Sequence, residues 1–269
     1  MFAIRQPEHG SLMVDGIQSE ALQGRATIWV YLPPGYDDNT DRRYPVLYLL
    51  HGAWGWEWDW PCKGSAAETA GRMIDSGEIE PIIIVMPNDG LRKMGTLYVN
   101  WADGSARYED WIACDLVAYI DSNLRTKAER DGRCITGLSM GGLGAVNIGL
   151  RNRLMYRSIA SHSGLFDLVE DAGHFWREFQ DQALGTPERA AQNSPLRYVA
   201  NIPANERPAL YIDCGVDDFL FQGNRDMHAR LESLGIAHTY NEFPGAHTWE
   251  YWTEHLRESL AFHFGSLRA

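Results

Sequence analysis

Residues 133–147 read R-C-I-T-G-L-S-M-G-G-L-G-A-V-N, and the fold turns on how this stretch is read. An apolar run ends at Thr136, Gly137 breaks it, Ser139 follows two residues later, and Gly141 and Gly142 open a small-residue segment suited to a helix. This is the pattern of a nucleophile elbow, in which a serine sits on a strained turn between strand and helix. The glycines have a steric role, because the turn brings backbone and helix so close that side chains there would clash. Ser139 then projects to where a substrate carbonyl can reach it. A lone G-x-S-x-G also arises by chance, as a glycine-rich helix start. What distinguishes this one is context: an apolar strand before it, a helix after it, and acid and histidine candidates downstream in that order.

Working outward, Val46 to Leu50 (V-L-Y-L-L) and Ile82 to Met86 (I-I-I-V-M) are continuous apolar runs, ended by His51-Gly52 and by P-N-D-G. Such runs mark strands buried on both faces. Between Gly10 and Tyr36, S-L-M-V-D and A-T-I-W-V-Y-L predict two antiparallel edge strands. Residues 156–160, 209–213 and 238–243 are three further strands. Helices are predicted over 65–76, 224–234 and 249–264, and over 106–126, where Tyr108, Ile112, Leu116, Ile120 and Leu124 recur at four-residue steps. Strands alternating with helices imply an α/β fold, a mostly parallel central sheet with helices on both faces.

The chain has 269 residues, 45% of them hydrophobic, with no linker, repeat or charge block dividing it, and is read as one domain over residues 1–269. A net charge of -12 argues against a nucleic-acid partner, since phosphate binding needs concentrated Lys and Arg. The start, M-F-A-I-R-Q-P-E-H-G, has neither a basic n-region nor an apolar h-region, and no apolar run approaches a membrane span. The expectation is a cytoplasmic protein with no membrane partner, with a homo-oligomer left open. Four scattered cysteines, Cys62, Cys114, Cys134 and Cys214, show no zinc-type spacing and are read as reduced.

A serine hydroxyl needs a base within hydrogen-bond reach, held in turn by an acid. Of nine histidines, His228, His238, His255 and His263 fall in predicted helices or at a strand start. His247 differs, since F-P-G-A-H-T-W places it in a glycine- and proline-shaped loop after the last strand. The loop after Y-I-D-C-G offers Asp218, with Asp217 in reserve and helix N-capping as the plainer role for either. A tetrahedral intermediate needs preset N–H donors. Met140, just after Ser139, supplies one, and the loop at His51-Gly52-Ala53 the other, from Ala53. His51 itself is read as a loop residue rather than the base.

P-V-L-Y-L-L-H-G, G-L-S-M-G-G, C-G-V-D-D-F-L and P-G-A-H-T-W, with V-Y-L-P-P-G-Y near the start, resemble an esterase family of α/β-hydrolases. That family includes esterase D or S-formylglutathione hydrolase, tributyrin and feruloyl esterases, and the mycolyltransferases. The resemblance spans nearly the whole chain. It implies an α/β-hydrolase fold with no cofactor and no metal, Ser139 as nucleophile, Asp218 as acid, His247 as base, and oxyanion N–H groups from Ala53 and Met140. It further implies a serine carboxylesterase acting on a small-molecule ester, short-chain or aryl (feruloyl-type). Acyl transfer, S-formylglutathione thioester hydrolysis and a non-catalytic binding role are the alternatives.

Two features depart from that pattern. The loop after Gly52 reads A-W-G-W-E-W-D-W, and the alternation of Trp54, Trp56, Trp58 and Trp60 predicts one pair facing an acyl pocket and the other packed inside. Trp54, Trp56 and, in Y-V-N-W-A-D, Trp101 are the expected pocket residues, although simple anchoring of the loop would use indoles equally well. Residues 163–202, carrying Phe166, Phe175, Trp176 and Phe179, are long for a crossover and are expected either to cap the sheet's functional edge or to pack as a surface helix.

Overall fold

In the computed structural model, which describes residues 6–90, 95–170 and 182–268, eight strands form one sheet. They are β1 (Ser11–Ser19), β2 (Gly24–Leu32), β3 (Val46–Leu50), β4 (Ile83–Pro87), β5 (Arg133–Leu138), β6 (Ser158–His162), β7 (Ala209–Gly215) and β8 (Thr239–Phe243). Their order across the sheet is β1-β2-β4-β3-β5-β6-β7-β8. β1 pairs with β2, and β2 with β4, antiparallel; every later pair is parallel. Only β1 of the first two strands is an edge, because β2 is ladder-bonded on both sides. Burial along β2 is partial and near-alternating, against the unbroken burial of β3 to β6.

Alternate side chains of each central strand feed two separate layers. Val46, Tyr48 and Leu50 pack on one face beneath α2 (residues 108–123), α3 (Met140–Arg151) and α4 (Phe221–Ser233). Leu47 and Leu49 pack on the other face beneath α1 (Ala66–Asp75) and α5 (Trp249–Arg268). With a helical layer on each side, both sides of these strands must be apolar, and that is why their sequence does not alternate.

The structure redraws three expected elements. The helix expected over 106–126 is α-helical at Tyr108–Asp110 and Val117–Asn123 but π-helical at Trp111–Leu116. A four-residue apolar step drifts around an α-helix of 3.6 residues per turn, and a wider π turn absorbs the drift so that Tyr108, Ile112, Leu116 and Ile120 all stay buried. The strand expected at 156–160 begins at Ser158, because Tyr156 turns its ring edge-on to Tyr48 before ladder pairing starts. It ends on the buried polar pair Ser161-His162, of which His162 bonds Asp213 and Ser259. In the 163–202 region, Phe166 and Leu168 are buried in the core, while Phe175, Trp176 and Phe179 lie outside the described residues.

His263 on α5 is fully buried between β5 and β6, its Nε2 2.6 Å from Thr136 Oγ1 and its Nδ1 2.8 Å from Ser158 Oγ. Burial, reinforced by His162 nearby, holds this imidazole down at about 3. An unfolded histidine titrates near ~6.5, so below that pH the unfolded chain binds a proton that the folded chain refuses. The stabilisation is complete above pH ~6.5 and drains away as pH falls toward 3. Thermal unfolding followed from pH 7.5 to 5 is expected to show a loss of about 2 kcal/mol from this group. The slope should shrink in His263→Gln, and an equal slope in that variant would disprove the assignment.

Candidate active site

The carboxyl ends of the parallel strands lie along one edge of the sheet, and the five loops that leave β3, β5, β6, β7 and β8 there bring the candidate residues together. Ser139 occupies the turn between β5 and α3 at φ 54° and ψ −117°, a conformation uncommon for a residue with a side chain. Its amide donates to the carbonyl of His162 at 2.9 Å, one step beyond the last paired residues of β5 and β6. The turn closes only because Gly137 lacks a side chain, since a Cβ there would stand 2.1 Å from the Gly141 carbonyl oxygen.

His247 and Asp218 arrive on neighbouring loops. The loop from β7 to α4 is clamped to the loop after β8 by Val216 N–H on Phe243 O at 2.9 Å and by Asp217 N–H on Gly245 O at 2.9 Å. Gly215 permits the approach, its missing Cβ leaving room for the Gly245 carbonyl. The clamp sets Asp218, and not the exposed Asp217, against the imidazole. His247 Nδ1 lies 2.8 Å and 3.0 Å from the two carboxylate oxygens, and its Nε2 lies 2.9 Å from Ser139 Oγ. A carboxylate on Nδ1 requires that nitrogen to carry the proton, which leaves Nε2 to accept from the serine hydroxyl. Burial by itself pushes the Asp218 carboxyl up. Hydrogen bonding and charge from His247 and the Leu220 amide, 2.8 Å away, outweigh it and hold the acid below the usual carboxylate range.

Ser139 and His247 open into a cleft of about 540 Å³, walled by Ala53, Trp54, Phe219, Trp249 and Trp252. Ala53 therefore stands beside the serine, and Met140 is the first residue of α3, with its amide at the positive end of the helix. Among the described residues neither amide has a protein acceptor. His51 is buried, with its Nδ1 2.8 Å from the Gly52 carbonyl and its ring edge-on to Tyr98.

Trp54 lines the cleft, but Trp56 and Trp101 do not. Trp101 is in the core, its indole N–H on the Thr96 carbonyl at 3.1 Å and its ring edge-on to Tyr108. Trp56 stacks on Trp58 with centroids 4.8 Å apart, and both are about a third exposed. The expected two-and-two alternation is instead three-and-one. Trp54, Trp56 and Trp58 face outward, while Glu57, Asp59 and Trp60 turn in, Glu57 to bond Asn88 and Trp60 to reach the Leu50 carbonyl. Phe219, 75% exposed and 4.4 Å from the His247 ring, and Trp252, edge-on to that ring at 4.8 Å, were not expected from sequence. Phe219's only local mark is that it follows Asp218.

A second Asp–His–Ser chain lies sealed beneath the first. His162 Nδ1 is 2.8 Å from Asp213 Oδ2 and its Nε2 3.0 Å from Ser259 Oγ, all three fully buried. No sequence pattern marks it, because each member sits inside an ordinary strand or helix.

A mostly parallel sheet with helices on both faces and a Ser–His–Asp arrangement at its carboxyl edge defines an α/β-hydrolase. The model of the "Putative esterase" family matches residues 19–263, and the chain belongs to that family. An esterase of Mycobacterium tuberculosis is 31% identical over 258 residues, covering 86% of this chain and 54% of the relative, so the chain spans about half the length of that protein. An endo-1,4-beta-xylanase/feruloyl esterase of Xylanibacter ruminicola is 37% identical over 156 residues, which is 55% of this chain and 21% of that one. A solved ferulic acid esterase superimposes with a TM-score of 0.84 at 30% identity, covering 96% of this chain and 99% of its own. Among the described residues no helix is long and apolar enough to cross a membrane.

The elbow geometry gives a direct stability test. Gly137→Ala forces a Cβ into backbone that cannot yield, and the expected cost is about 2–3 kcal/mol, the usual scale for overpacking. Calorimetry should show Tm lowered by about 5 °C or more. An unchanged Tm would mean that the close approach at Gly141 is not a constraint.

Proposed function

We propose that this chain is a cofactor-independent carboxylic ester hydrolase that works through an acyl-enzyme on Ser139. The observation that carries the reading is the continuous hydrogen-bond path from Asp218 through His247 to Ser139, ending at a cleft. As Ser139 Oγ attacks the ester carbonyl, its proton passes to His247 Nε2 and the carbonyl π electrons move onto oxygen. The amides of Ala53 and Met140 receive that oxyanion, and Asp218 stabilises the imidazolium. Collapse re-forms the carbonyl and expels the alkoxide, which takes the proton from Nε2 and leaves as alcohol. Water then gives its proton to His247 and repeats the attack, releasing the acid and restoring Ser139.

Esters with an aryl acyl group are the favoured substrates. Supporting this, the cleft wall is aromatic on several sides, through Trp54, Phe219, Trp249 and Trp252, and rings in such settings prefer offset or edge-on aromatic neighbours. The feruloyl and ferulic acid esterase relatives point the same way.

Steady-state hydrolysis of p-nitrophenyl acetate tests the chemistry. Ser139→Ala should lower kcat by about 10⁴-fold or more, and Asp218→Asn by about 10³–10⁴-fold through the wrong imidazole tautomer. Turnover of Ser139→Ala at the parent rate would rule the mechanism out. Specificity is tested separately with methyl ferulate against methyl acetate. Trp54→Ala should lower kcat/KM for the aryl ester about tenfold more than for the acetyl ester, and equal losses on both would remove the aryl assignment.

A further inference from the structure

His51, the residue after β3, is buried, and among the described residues its ring makes one hydrogen bond, from Nδ1 to the Gly52 carbonyl at 2.8 Å. Its Nε2 lies 3.9 Å from Asp89 Oδ1, beyond hydrogen-bond range, and has no partner among those residues. A carbonyl oxygen cannot donate, so Nδ1 carries the proton. The carbonyl it holds shares a peptide group with the Ala53 N–H. No cis peptide occurs among the described residues, and a trans peptide points its C=O and N–H in opposite directions. His51 takes no part in the cleft wall, whereas Ala53 lines the cleft with Ser139. With the oxygen drawn to the buried imidazole, the Ala53 N–H therefore faces the cleft. Gly52 sets that peptide beside the nucleophile, since a Cβ on it would stand 3.5 Å from Ser139 Cβ.

The peptide needs a lock because its hinge is a glycine. Gly52 has no side chain of its own to oppose backbone rotation, and half a turn of the Gly52–Ala53 peptide would aim a carbonyl oxygen at the cleft in place of a donor. Two hydrogen bonds resist it. Gly55 N–H reaches the same oxygen at 3.1 Å, across a turn that holds Trp54 at φ 55°, an unfavourable conformation for a residue with a side chain. The imidazole takes the other lone pair from the buried side. Tyr98 fixes the backbone one residue earlier, its hydroxyl donating to the His51 carbonyl at 3.2 Å. The turn closes so tightly on this pair that a Cβ at Gly55 would stand 2.8 Å from both the Gly52 oxygen and His51 Nδ1.

We propose that His51 is a positioning residue for the esterase reaction: its Nδ1–H pins the Gly52 carbonyl and so turns the Ala53 amide toward the oxygen of the tetrahedral intermediate. The inference rests on the acyl-enzyme reading above and on Ala53 as one of its two oxyanion donors. The ring itself touches neither Ser139 nor the cleft, so its effect passes wholly through the peptide it holds. An oxyanion donor acts on charge that develops only in the transition state. Losing its aim therefore slows turnover and leaves ester binding nearly alone.

Side-chain length provides the test. His51→Asn carries an amide N–H where Nδ1 stands and keeps the donor; His51→Gln is one carbon longer, sets its amide near the Nε2 position and loses it. Gly55→Ala presses a Cβ onto the same bond from the other side and leaves the imidazole in place. The full-length variants and the parent are assayed on p-nitrophenyl acetate, with kcat referred to active sites titrated by a fluorophosphonate so that misfolded protein is not counted. Phenylboronic acid reports on the oxyanion site directly, because its tetrahedral adduct with a serine hydroxyl places an oxygen there. In His51→Gln and Gly55→Ala the expected result is kcat lowered about 10–100-fold, KM within about twofold of the parent and the boronic acid Ki raised about tenfold or more. His51→Asn should stay within about threefold of the parent on all three. Parent kcat and Ki in His51→Gln or Gly55→Ala, equal losses in His51→Asn and His51→Gln, or a loss falling on KM would overturn the assignment. A parent protein that the fluorophosphonate does not label would instead overturn the acyl-enzyme reading beneath it.

Discussion

The amide of Ser139 is held 2.9 Å from the carbonyl of His162, and the site depends on that bond. A serine at φ 54° is unfavourable in isolation and persists only where its surroundings over-determine it. Here the parallel ladder between β5 and β6 runs one residue past the strand ends and captures it. From behind, α3 presses on the same turn, with Gly141 so close to the Leu50 and His51 carbonyls that a Cβ would lie within 2.6 Å of both. The strain is therefore balanced by the most buried part of the sheet, where burial of β3, β5 and β6 is complete. The outcome is a hydroxyl presented to a cleft from a scaffold that leaves it little room to move.

Two Asp–His–Ser chains with the same connectivity occur in this molecule, and they differ in where they end. His162 runs from Asp213 to Ser259 inside the packing of α5, and His247 runs from Asp218 to Ser139 at the cleft. In the first, every polar atom is satisfied by a buried neighbour, so the chain serves as a fixed strut beneath the second. In the second, the serine is half-buried and lines the cleft. Connectivity alone is thus no measure of reactivity; access is.

The tryptophan-rich loop after β3 shows a related inversion. An acid at position 57 is turned inward and hydrogen-bonded to Asn88, while indoles at 54, 56 and 58 face out. Local hydrophobicity would place them the other way. The backbone at Trp54, with φ 55°, sets the phase of the loop, and the anchor is Trp60, whose indole N–H reaches back to the Leu50 carbonyl. The two-and-two division read from the letters fails because only one indole, Trp60, finds that carbonyl.

The sequence by itself determined whatever rests on neighbours along the chain. The elbow at Gly137–Gly141, the doubly buried runs Val46–Leu50 and Ile82–Met86, the latter one residue early of its strand, and the predominance of parallel pairing follow from sterics and apolar spacing within a few residues. The π turn in α2 was latent in the same spacing, as a four-residue step that an α-helix cannot keep on one face. Tertiary structure decided what depends on distance through space. Asp218 and His247 are 29 positions apart, and their 2.8 Å contact exists because Gly215 lets two loops touch, while Ser139 meets the same imidazole from 108 positions away. The choice of Asp218 over Asp217, the burial of Trp101, the approach of Phe219 to the imidazole and the sealing of His162 come from the same source. A side chain's partner across a sheet is set by how whole strands and loops pack, and no local run of residues carries that information.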